Sequence, residues 1–383
     1  MVAAADDLER RDMFAEIKKL CAPNNYTNWL VLAAEYAVLA LVVAGGVGSY
    51  YWITSSGWSL WWMAPIYLAG VFVIGAWTQN RLGGLIHESS HYSLFKNRVL
   101  NELASNLLIA FPLFAAIHNY RAGHWGHHRH VNDPEHDPDL KRLVKHHPRN
   151  FPIGRWRFIW EYLFLQVLPY KALSYLKGRA LYAMIPAKDK EPAKNVEVIP
   201  PRLFRTMRIG YYIVLLAVLW SFNLWAHYAL LWLVPMFTFY PAVLFLREIA
   251  HHGNYPDNGD YTNSRVYSGK WLEREIFFPF GEWNHVLHHM FPTIPWHNMP
   301  EAHDVMMRYA PYRENVVVCD GFFFKGDKNT SDPTVLEVLA KPSQTYLRRP
   351  HTGALAPDGI RQRTAEEVGS IGALVDTWHG GES

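Results

Sequence analysis

Four apolar runs constrain the fold of this chain more than any other feature, because each is about as long as a bilayer is thick. They cover roughly residues 29–50, 60–86, 209–226 and 228–246. A helix needs about 20 apolar residues to cross the hydrocarbon core, where every backbone polar group must be satisfied within the protein. The sequence therefore predicts an all-α integral membrane protein with four transmembrane helices in two hairpins.

The placement of Lys and Arg predicts how the two hairpins are oriented. The short linkers inside them, residues 51–59 and His227, carry neither, whereas the N-terminal segment and the section from 88 to 208 are rich in both. Loops rich in basic residues stay on the cytosolic side of a membrane. Both termini are therefore expected in the cytosol, at the inner (cell) membrane of a bacterial host or the endoplasmic reticulum of a eukaryotic one.

A fifth apolar stretch, Leu103 to Ile117, is too short to cross. At about 1.5 Å per residue it reaches only about 22 Å, whereas the hydrocarbon core is about 30 Å thick. It also contains Pro112. We interpret it as a re-entrant or interfacial segment, which keeps the chain before and after it on one side. Glu35, inside the first run, is expected to face the bundle interior.

Histidines form three clusters, and each cluster lies just beyond an apolar segment. On a helix, residues at i, i+3 and i+4 share one face, so the imidazoles of each cluster would point the same way. The eight histidines are His87, His91, His124, His127, His128, His285, His288 and His289. Imidazole is a common ligand of transition metals. The sequence therefore predicts a metal site in a cytosolic helical cap that carries all three clusters.

The number of histidines indicates more than one metal ion. One zinc takes about four ligands, whereas two ions of higher coordination that share an oxygen ligand need about nine or ten donors. His251 and His252, at the end of the fourth run, offer a ninth imidazole. Glu248 lies one helical turn before His252 and is expected to orient it or a water. The acids expected to support the ligands are Glu88, Glu282, Asp133, Asp137 and Asp139.

Composition disfavours nucleic-acid binding and excludes a cysteine-based site, and local patterns divide the chain into four parts. The formal net charge of +3 does not favour nucleic acid as a partner. Two cysteines, Cys21 and Cys319, provide neither a disulfide framework nor a thiolate metal site. Around the membrane domain, residues 29–310, we expect three further parts. These are a cytosolic amphipathic segment at 1–28, a cytosolic extension at 311–349 and a flexible tail at 350–383.

The sequence motifs of the three clusters and their order along the chain resemble those of the membrane fatty acid desaturase and hydroxylase superfamily. The matching motifs are His87-Glu88-Ser89-Ser90-His91, His124-Trp125-Gly126-His127-His128 and Asn284-His285-Val286-Leu287-His288-His289. The likeness covers about residues 30 to 310. It implies a non-haem di-iron centre, with the eight histidines above as ligands and O₂ as oxidant. Where relatives commonly read Glu-His, this chain has His251-His252, so the resemblance favours His252 as the ninth ligand.

The resemblance also implies a lipid acyl substrate and a separate source of electrons. The haem motif His-Pro-Gly-Gly of cytochrome b5 is absent from the sequence, so a ferredoxin, rubredoxin or cytochrome b5 and its reductase would supply electrons. Glu248 and Glu88 are the expected catalytic acids. Fatty acid desaturation is the first expectation. Alkyl or fatty acid hydroxylation, oxidative decarboxylation to a terminal alkene and carotenoid oxidation on the same scaffold remain open.

Two rival classes share part of the pattern. His87-Glu88-Ser89-Ser90-His91 also has the zinc-protease spelling, with Glu88 as general base, but an intramembrane metalloprotease would leave the two histidine triplets without a role. A metal transporter normally binds its ion near the bilayer midplane, between discontinuous helices. Here the histidines lie at helix ends.

Overall fold

Helices make up nearly all the regular structure in residues 2–141, 151–184, 198–254, 259–327 and 330–342, which are the residues that the computed structural model describes. The flexible tail expected at 350–383 lies outside them. The helices are α1 (Val2–Leu20), α2 (Thr27–Ser55), α3 (Met63–Val73), α4 (Asn80–Ser90), α5 (Arg98–Ala104), α6 (Ile117–Arg129), α7 (Arg155–Phe158), α8 (Pro169–Met184), α9 (Pro201–Ser221), α10 (Trp225–Tyr228), α11 (Val234–Met236), α12 (Phe239–His252), α13 (Trp271–Phe277), α14 (His285–Met290), α15 (Met299–Arg308), α16 (Ala310–Asn315) and α17 (Val335–Ala340).

Shorter elements join these helices. Segments of tighter or wider helix occupy Leu60–Trp62, Ile74–Gln79, Ser105–Ala110, Ile159–Phe164, Leu165–Val167, Ala229–Leu233 and Trp296–Asn298. Two strands of two residues each, β1 (Val266–Tyr267) and β2 (Val318–Cys319), pair in parallel. They tie the C-terminal segment to the loop that precedes the third histidine cluster.

Four helical segments in the described ranges are long and apolar enough to cross a bilayer, which confirms the predicted fold class. They are the first span (Thr27–Ser55), the second span (Leu60–Ser90), the third span (Arg202–Ser221) and the fourth span (Trp225–His252). Short turns join the first to the second and the third to the fourth. The chain is therefore an all-α membrane protein built on two hairpins.

The turn between the third and fourth spans lies at residues 222–224 rather than at His227, where the sequence placed it. Asn223 has a left-handed backbone conformation, with φ of 52°, which Asn adopts more readily than most residues. His227 instead lies in the first turn of the fourth span. The helix of the third span also begins earlier than predicted, at Pro201. Its first turns are basic, so a search for apolar runs misses them.

The fourth span is bent where α11 ends and α12 begins. Pro241 has no N–H to donate to the carbonyl of Phe237, so the regular helical bonding is interrupted there. Gly75 of the second span packs against this bend, where an added Cβ would lie 2.9 Å from Cβ of Phe239. The close approach brings the end of the fourth span, with His252, beside the end of the second.

The short fifth apolar stretch reverses instead of crossing. α5 and the wider helix Ser105–Ala110 run into the protein, residues 111–116 form a turn, and α6 runs back. Phe114, in the turn, has φ of 57°. The segment therefore returns the second histidine cluster to the side on which the first cluster lies, as predicted.

Side chains from three spans hydrogen-bond the backbone of this reversal, which we call the re-entrant turn (residues 108–116). The donor and acceptor pairs are Tyr36 Oη to Leu108 O at 2.6 Å, Tyr212 Oη to Phe111 O at 2.9 Å, Arg208 Nη2 to Phe114 O at 3.1 Å and Trp232 Nε1 to Pro112 O at 3.0 Å. Non-helical backbone at membrane depth is tolerated only where such partners exist. The first, third and fourth spans thus hold the re-entrant turn in place.

A buried ion pair joins the first two spans. Glu35, the acid of the first apolar run, lies 2.5 Å from Arg81 of the second span, and Arg81 lies 2.6 Å from Glu275. The guanidinium packs between the rings of Trp77 and Phe280. Glu35 therefore faces the bundle interior, as expected for an acid within a span.

Both ends of the described chain pack onto the cap. Met13 and Ile17 of α1 are buried in one hydrophobic cluster with Met299 and Met306 of α15. The segment from 311 to 342 adds Phe322 and most of α17 to the hydrophobic core that the spans share. Residues beyond the predicted membrane domain are thus part of the same packed unit.

We expect Tyr36→Phe to lower stability by about 1 kcal/mol, because it leaves the Leu108 carbonyl without its side-chain donor. Thermal unfolding of the purified protein in detergent measures the change. Tyr51→Phe is the matched control, since Tyr51 lies on the same helix and is 62% exposed. Equal melting temperatures for both variants would contradict this role of Tyr36.

Candidate metal centre

Nine histidines from four parts of the chain converge where the second and fourth spans end. They form two groups, and within each group the potential ligand atoms lie within 4.8 Å of one another. The five-histidine group is His87, His91, His124, His128 and His288, and the four-histidine group is His127, His252, His285 and His289. The structure thus brings together all eight histidines of the predicted clusters, together with His252.

Each histidine triplet divides between the two groups. His124 and His128, one helical turn apart on α6, join the five-histidine group, while His127 joins the other. In α14 the division is reversed: His288 joins the five-histidine group, and the turn-spaced pair His285 and His289 joins the other. Neighbouring residues on a helix point about 100° apart. A triplet can therefore serve two adjacent ions.

The spacing of the nitrogens fits metal coordination. Two ligand atoms at right angles around one ion lie about 3.0 Å apart when the metal–nitrogen bonds are about 2.1 Å. The observed Nε2–Nε2 distances are 3.0 Å for His124–His128, 3.0 Å for His128–His288, 3.0 Å for His252–His285 and 3.3 Å for His252–His289. The two groups are neighbours, with ring centroids of His128 and His289 4.5 Å apart. The set is compatible with a metal site.

Burial keeps these imidazoles in the form that binds metal. Desolvation, followed by the nearby His127, lowers the pKa of His288 to about 3. Burial and the surrounding histidines also lower the pKa of His128, His285 and His289 well below the ordinary value. All four are therefore neutral near pH 7, and neutral imidazole is the ligand form.

Asp137, one of the predicted supporting acids, orients His127. Both of its carboxylate oxygens lie 3.0 Å from Nδ1 of His127. The carboxylate also accepts backbone N–H groups from Asn132 and Asp139, at 2.9 and 2.8 Å. Burial alone would lower the pKa of His127. The nearby carboxylates, chiefly Asp137, outweigh this effect and leave the pKa above its ordinary value. Holding the proton on Nδ1 leaves Nε2 free to serve as a ligand.

Glu282 has a similar position beside His87. Its Oε1 lies 3.5 Å from Nδ1 of His87 and 3.1 Å from Arg247. The predicted acid Asp133 instead pairs with His136, which is exposed, at 2.9 Å.

His251 and His252 occupy different positions, although the sequence alone left the choice between them open. His252 belongs to the four-histidine group. His251 stacks on the ring of His285, with centroids 3.7 Å apart, and its Nε2 lies 3.1 Å from the carbonyl oxygen of Glu282. His251 therefore supports a group member instead of joining a group.

The two acids expected to be catalytic differ in their surroundings. Glu248 accepts a hydrogen bond from Tyr175 Oη at 2.9 Å. It also lines a cavity of about 20 Å³ with His127, His252 and the predicted acid Asp139. Glu88 instead accepts the backbone N–H of Trp296 at 3.0 Å and belongs to neither histidine group. Of these two acids, only Glu248 thus adjoins the four-histidine group.

Two buried arginines that the sequence analysis missed cap the helices that carry histidines. Arg121, on α6, donates to the carbonyls of Ser90 and Ser89 at the end of α4, at 2.9 and 3.3 Å. Arg265 donates to the carbonyl of Ala250 at 2.9 Å and to that of Gly253, at the end of α12. A cation at a helix C-terminus satisfies free carbonyls and the helix dipole. The only sequence signal was that Arg121 precedes His124 by one turn.

Comparisons with known proteins agree with this geometry. The model of the fatty acid desaturase family matches residues 56–319. Dihydrorhizobitoxine desaturase of Bradyrhizobium elkanii is 27% identical over 323 residues, which are 83% of this chain and 85% of the relative. The Delta(5) fatty acid desaturase fat-4 of Caenorhabditis elegans is 26% identical over 277 residues, which are 67% of this chain and 61% of the relative.

We expect His252→Ala and His251→Ala to differ in metal content, because His252 belongs to a histidine group and His251 does not. Loss of one ligand from the four-histidine group should remove its ion, so the purified His252→Ala protein should hold about half the metal of the wild type. His251→Ala should keep nearly all of it. Elemental analysis of the purified proteins measures both, and equal metal loss in the two variants would contradict the assignment.

We expect Asp137→Asn to weaken metal binding by about 10- to 100-fold, because the amide does not hold the His127 proton as the carboxylate does. Competition with a chelator of known affinity measures the change. Asp133→Asn is the control, since that carboxylate pairs with His136. An unchanged affinity in Asp137→Asn would show that His127 needs no such support.

Proposed function

Because this chain belongs to the fatty acid desaturase family, we propose that it is a membrane oxidoreductase that introduces a double bond into a lipid acyl chain with O₂ as oxidant. The observation that carries the proposal is the gathering of nine histidines into groups of five and four. Removal of two hydrogen atoms from an acyl chain, together with two electrons and two protons from outside, reduces O₂ to two molecules of water. The protein therefore needs a site for redox-active metal and a supply of electrons.

We assign one iron ion to each histidine group, and the pair would supply the one-electron chemistry that O₂ reduction requires. All nine proposed ligands are imidazoles, so the protein adds little negative charge in direct contact with the ions. Asp137 would compensate by holding the Nδ1 proton of His127, and Glu282 adds a second carboxylate 3.5 Å from Nδ1 of His87. Both carboxylates are buried, where water screens their charge less than it would at the surface.

Glu248 has the proposed role of orienting His252 or a water beside it. The cavity that it shares with His127 and His252 has a volume of about 20 Å³, enough for about one water molecule. The four-histidine group has one imidazole fewer than its neighbour, so this is where a further oxygen donor fits. Glu88, bonded to the Trp296 backbone, would fix the loop after the third cluster.

The same contacts disfavour the two rival classes. In a zinc protease, the Glu88 carboxylate would act as general base at the metal. Here that carboxylate accepts the backbone N–H of Trp296. The ligands His87 and His91 share their group with three histidines from the other clusters, which a single-zinc site does not require. For a transporter, the histidines lie at the ends of spans and not at their centres.

Electrons would come from a separate redox protein of the ferredoxin, rubredoxin or cytochrome b5 type and its reductase. Arg155 and Arg157 are exposed at the start of α7, on a surface that an acidic donor could approach. Arg142 and Lys145, also in this basic stretch, lie outside the described residues. We propose that the termini and the metal centre lie in the cytosol, because the segments around them are basic and basic loops stay on the cytosolic side.

A second candidate is desaturation of a substrate other than a fatty acyl chain. The observation that favours it is coverage: the match to dihydrorhizobitoxine desaturase spans 85% of that relative, whereas the match to the Delta(5) fatty acid desaturase spans 61%. Dihydrorhizobitoxine is therefore included among the substrates to be tested.

Expression in a host that lacks the activity, followed by mass spectrometry of lipids, hydrocarbons, alcohols and carotenoids, tests the proposal. We expect a new double bond in an acyl chain. A new hydroxyl group would indicate a hydroxylase, a terminal alkene shorter by one carbon a decarboxylase, and an oxidised carotenoid an oxygenase. Conversion of supplied dihydrorhizobitoxine alone would favour the second candidate.

His127→Ala and His288→Ala, one from each histidine group, should abolish the product while the protein still inserts into the membrane. His136→Ala is a control, because His136 is exposed and belongs to neither group. Wild-type turnover in either ligand variant would exclude that residue from the proposed centre.

A further inference from the structure

An apolar cleft of about 240 Å³ separates the third span from the first and fourth. Tyr36, Leu39 and Val43 form the wall from the first span, at helical spacing. Tyr211, Leu215 and Leu219, spaced by four residues, form the wall from the third. The cleft is therefore a gap between whole helix faces.

The third span is packed loosely enough to leave such a gap. Of its described side chains only Phe204 and Leu219 are buried. Its most apolar stretch is 11% buried, compared with 61% for the fourth span. Hydrogen bonds to the re-entrant turn hold its inner half through Arg208 and Tyr212, but the outer half has few partners.

The cleft is separated from the metal centre. Pro112 of the re-entrant turn and Trp232, joined by a hydrogen bond of 3.0 Å, close its inner end. None of the nine histidines of the two groups is among its lining residues. A chain lying in the cleft would therefore not reach those histidines.

The outer end lies at the opposite face of the membrane. Leu224 and His227, at the turn between the third and fourth spans, line it. Exposed aromatic residues surround this level, including Trp61 at 84% and Trp220 at 78% exposure. Such belts mark the interface between lipid headgroups and hydrocarbon. The cleft thus begins at the interface of the leaflet opposite the metal centre and ends near mid-membrane.

We propose that this cleft binds one acyl chain of a glycerophospholipid from that opposite leaflet, as a site separate from the desaturation chemistry. Apolar cavities do not hold water, and around the spans the available filler is hydrocarbon as apolar as the leucines of the walls. Pockets for drug-sized ligands enclose about 300–1,000 Å³. The cleft, at about 240 Å³, is smaller and suits one acyl chain without its headgroup.

The residues at the outer end suit the polar part of such a lipid. Nδ1 of His227 lies 2.7 Å from the hydroxyl of Tyr67, which fixes the ring. An imidazole N–H at this position can donate to an ester or phosphate oxygen. The headgroup would then lie at the level of the exposed tryptophans while its chain fills the cleft. The bound chain would supply the packing that the outer half of the third span lacks.

The test is photolabelling of the full-length protein in phosphatidylcholine vesicles that contain a phosphatidylcholine with a photoactivatable group in its acyl chain. Labelled peptides are identified by mass spectrometry. We expect labels on Leu215 and Leu219, and Leu215→Trp should reduce them by roughly tenfold, because the larger side chain fills the cleft. Leu216→Trp is the matched control, since Leu216 is 51% exposed and does not line the cleft.

A second pair of variants tests the opposite wall, in case Leu215→Trp fails to fold. Val43→Phe should reduce the same labels, while Leu41→Phe, at a position 73% exposed, should not. Equal labelling in the cleft variants and their controls would overturn the proposal, as would labels spread evenly over the lipid-facing side of the third span. The labels are read without any turnover, so this result is independent of whether the protein is a desaturase.

Discussion

Hydrogen bonding of the re-entrant turn is the constraint on which the rest of the structure depends. A chain that reverses inside a membrane exposes carbonyls that lipid cannot satisfy. Tyr36, Arg208, Tyr212 and Trp232 supply the donors from three different spans. Those spans must therefore gather around one turn, and the turn returns the second histidine cluster to the side of the first. The same gathering leaves the outer half of the third span apart from its neighbours.

The two histidine groups depend on a second set of buried polar contacts. Imidazoles that bind metal do so in the neutral form, and the groups around them fix their orientation. Asp137 and Glu282 lie beside the rings of His127 and His87. Arg121 and Arg265 hydrogen-bond the carbonyls at the C-terminal ends of α4 and α12. Each arginine joins the end of one helix to a different segment of the chain. The positions of the nine histidines are therefore coupled to the packing of the whole cap.

Much of this arrangement could be predicted from the sequence. Apolar length predicted the four spans, and the shortness of the stretch around Pro112 predicted the reversal, because bilayer thickness leaves few alternatives. Histidine spacing and order predicted the family and the eight converging residues. Asp137 and Glu282 were among the acids expected nearby. The ends of the third and fourth spans were predicted less well, since basic turns and Asn223 leave no trace in an average of apolarity.

Local sequence is enough to identify the histidines that can gather at one membrane face. His87 lies in the last turn of the second span and His252 ends the fourth, while the short fifth stretch returns the second cluster to the same side. How the histidines are shared between the two groups depends on tertiary packing. Packing divides each triplet between two groups, includes His252 but not His251 in a group, bonds Glu88 to the Trp296 N–H, and brings Arg265 to the end of α12. Local spacing reports the face of one helix. Which ring or carbonyl that face meets depends on elements far away in the chain, and only their packing specifies it.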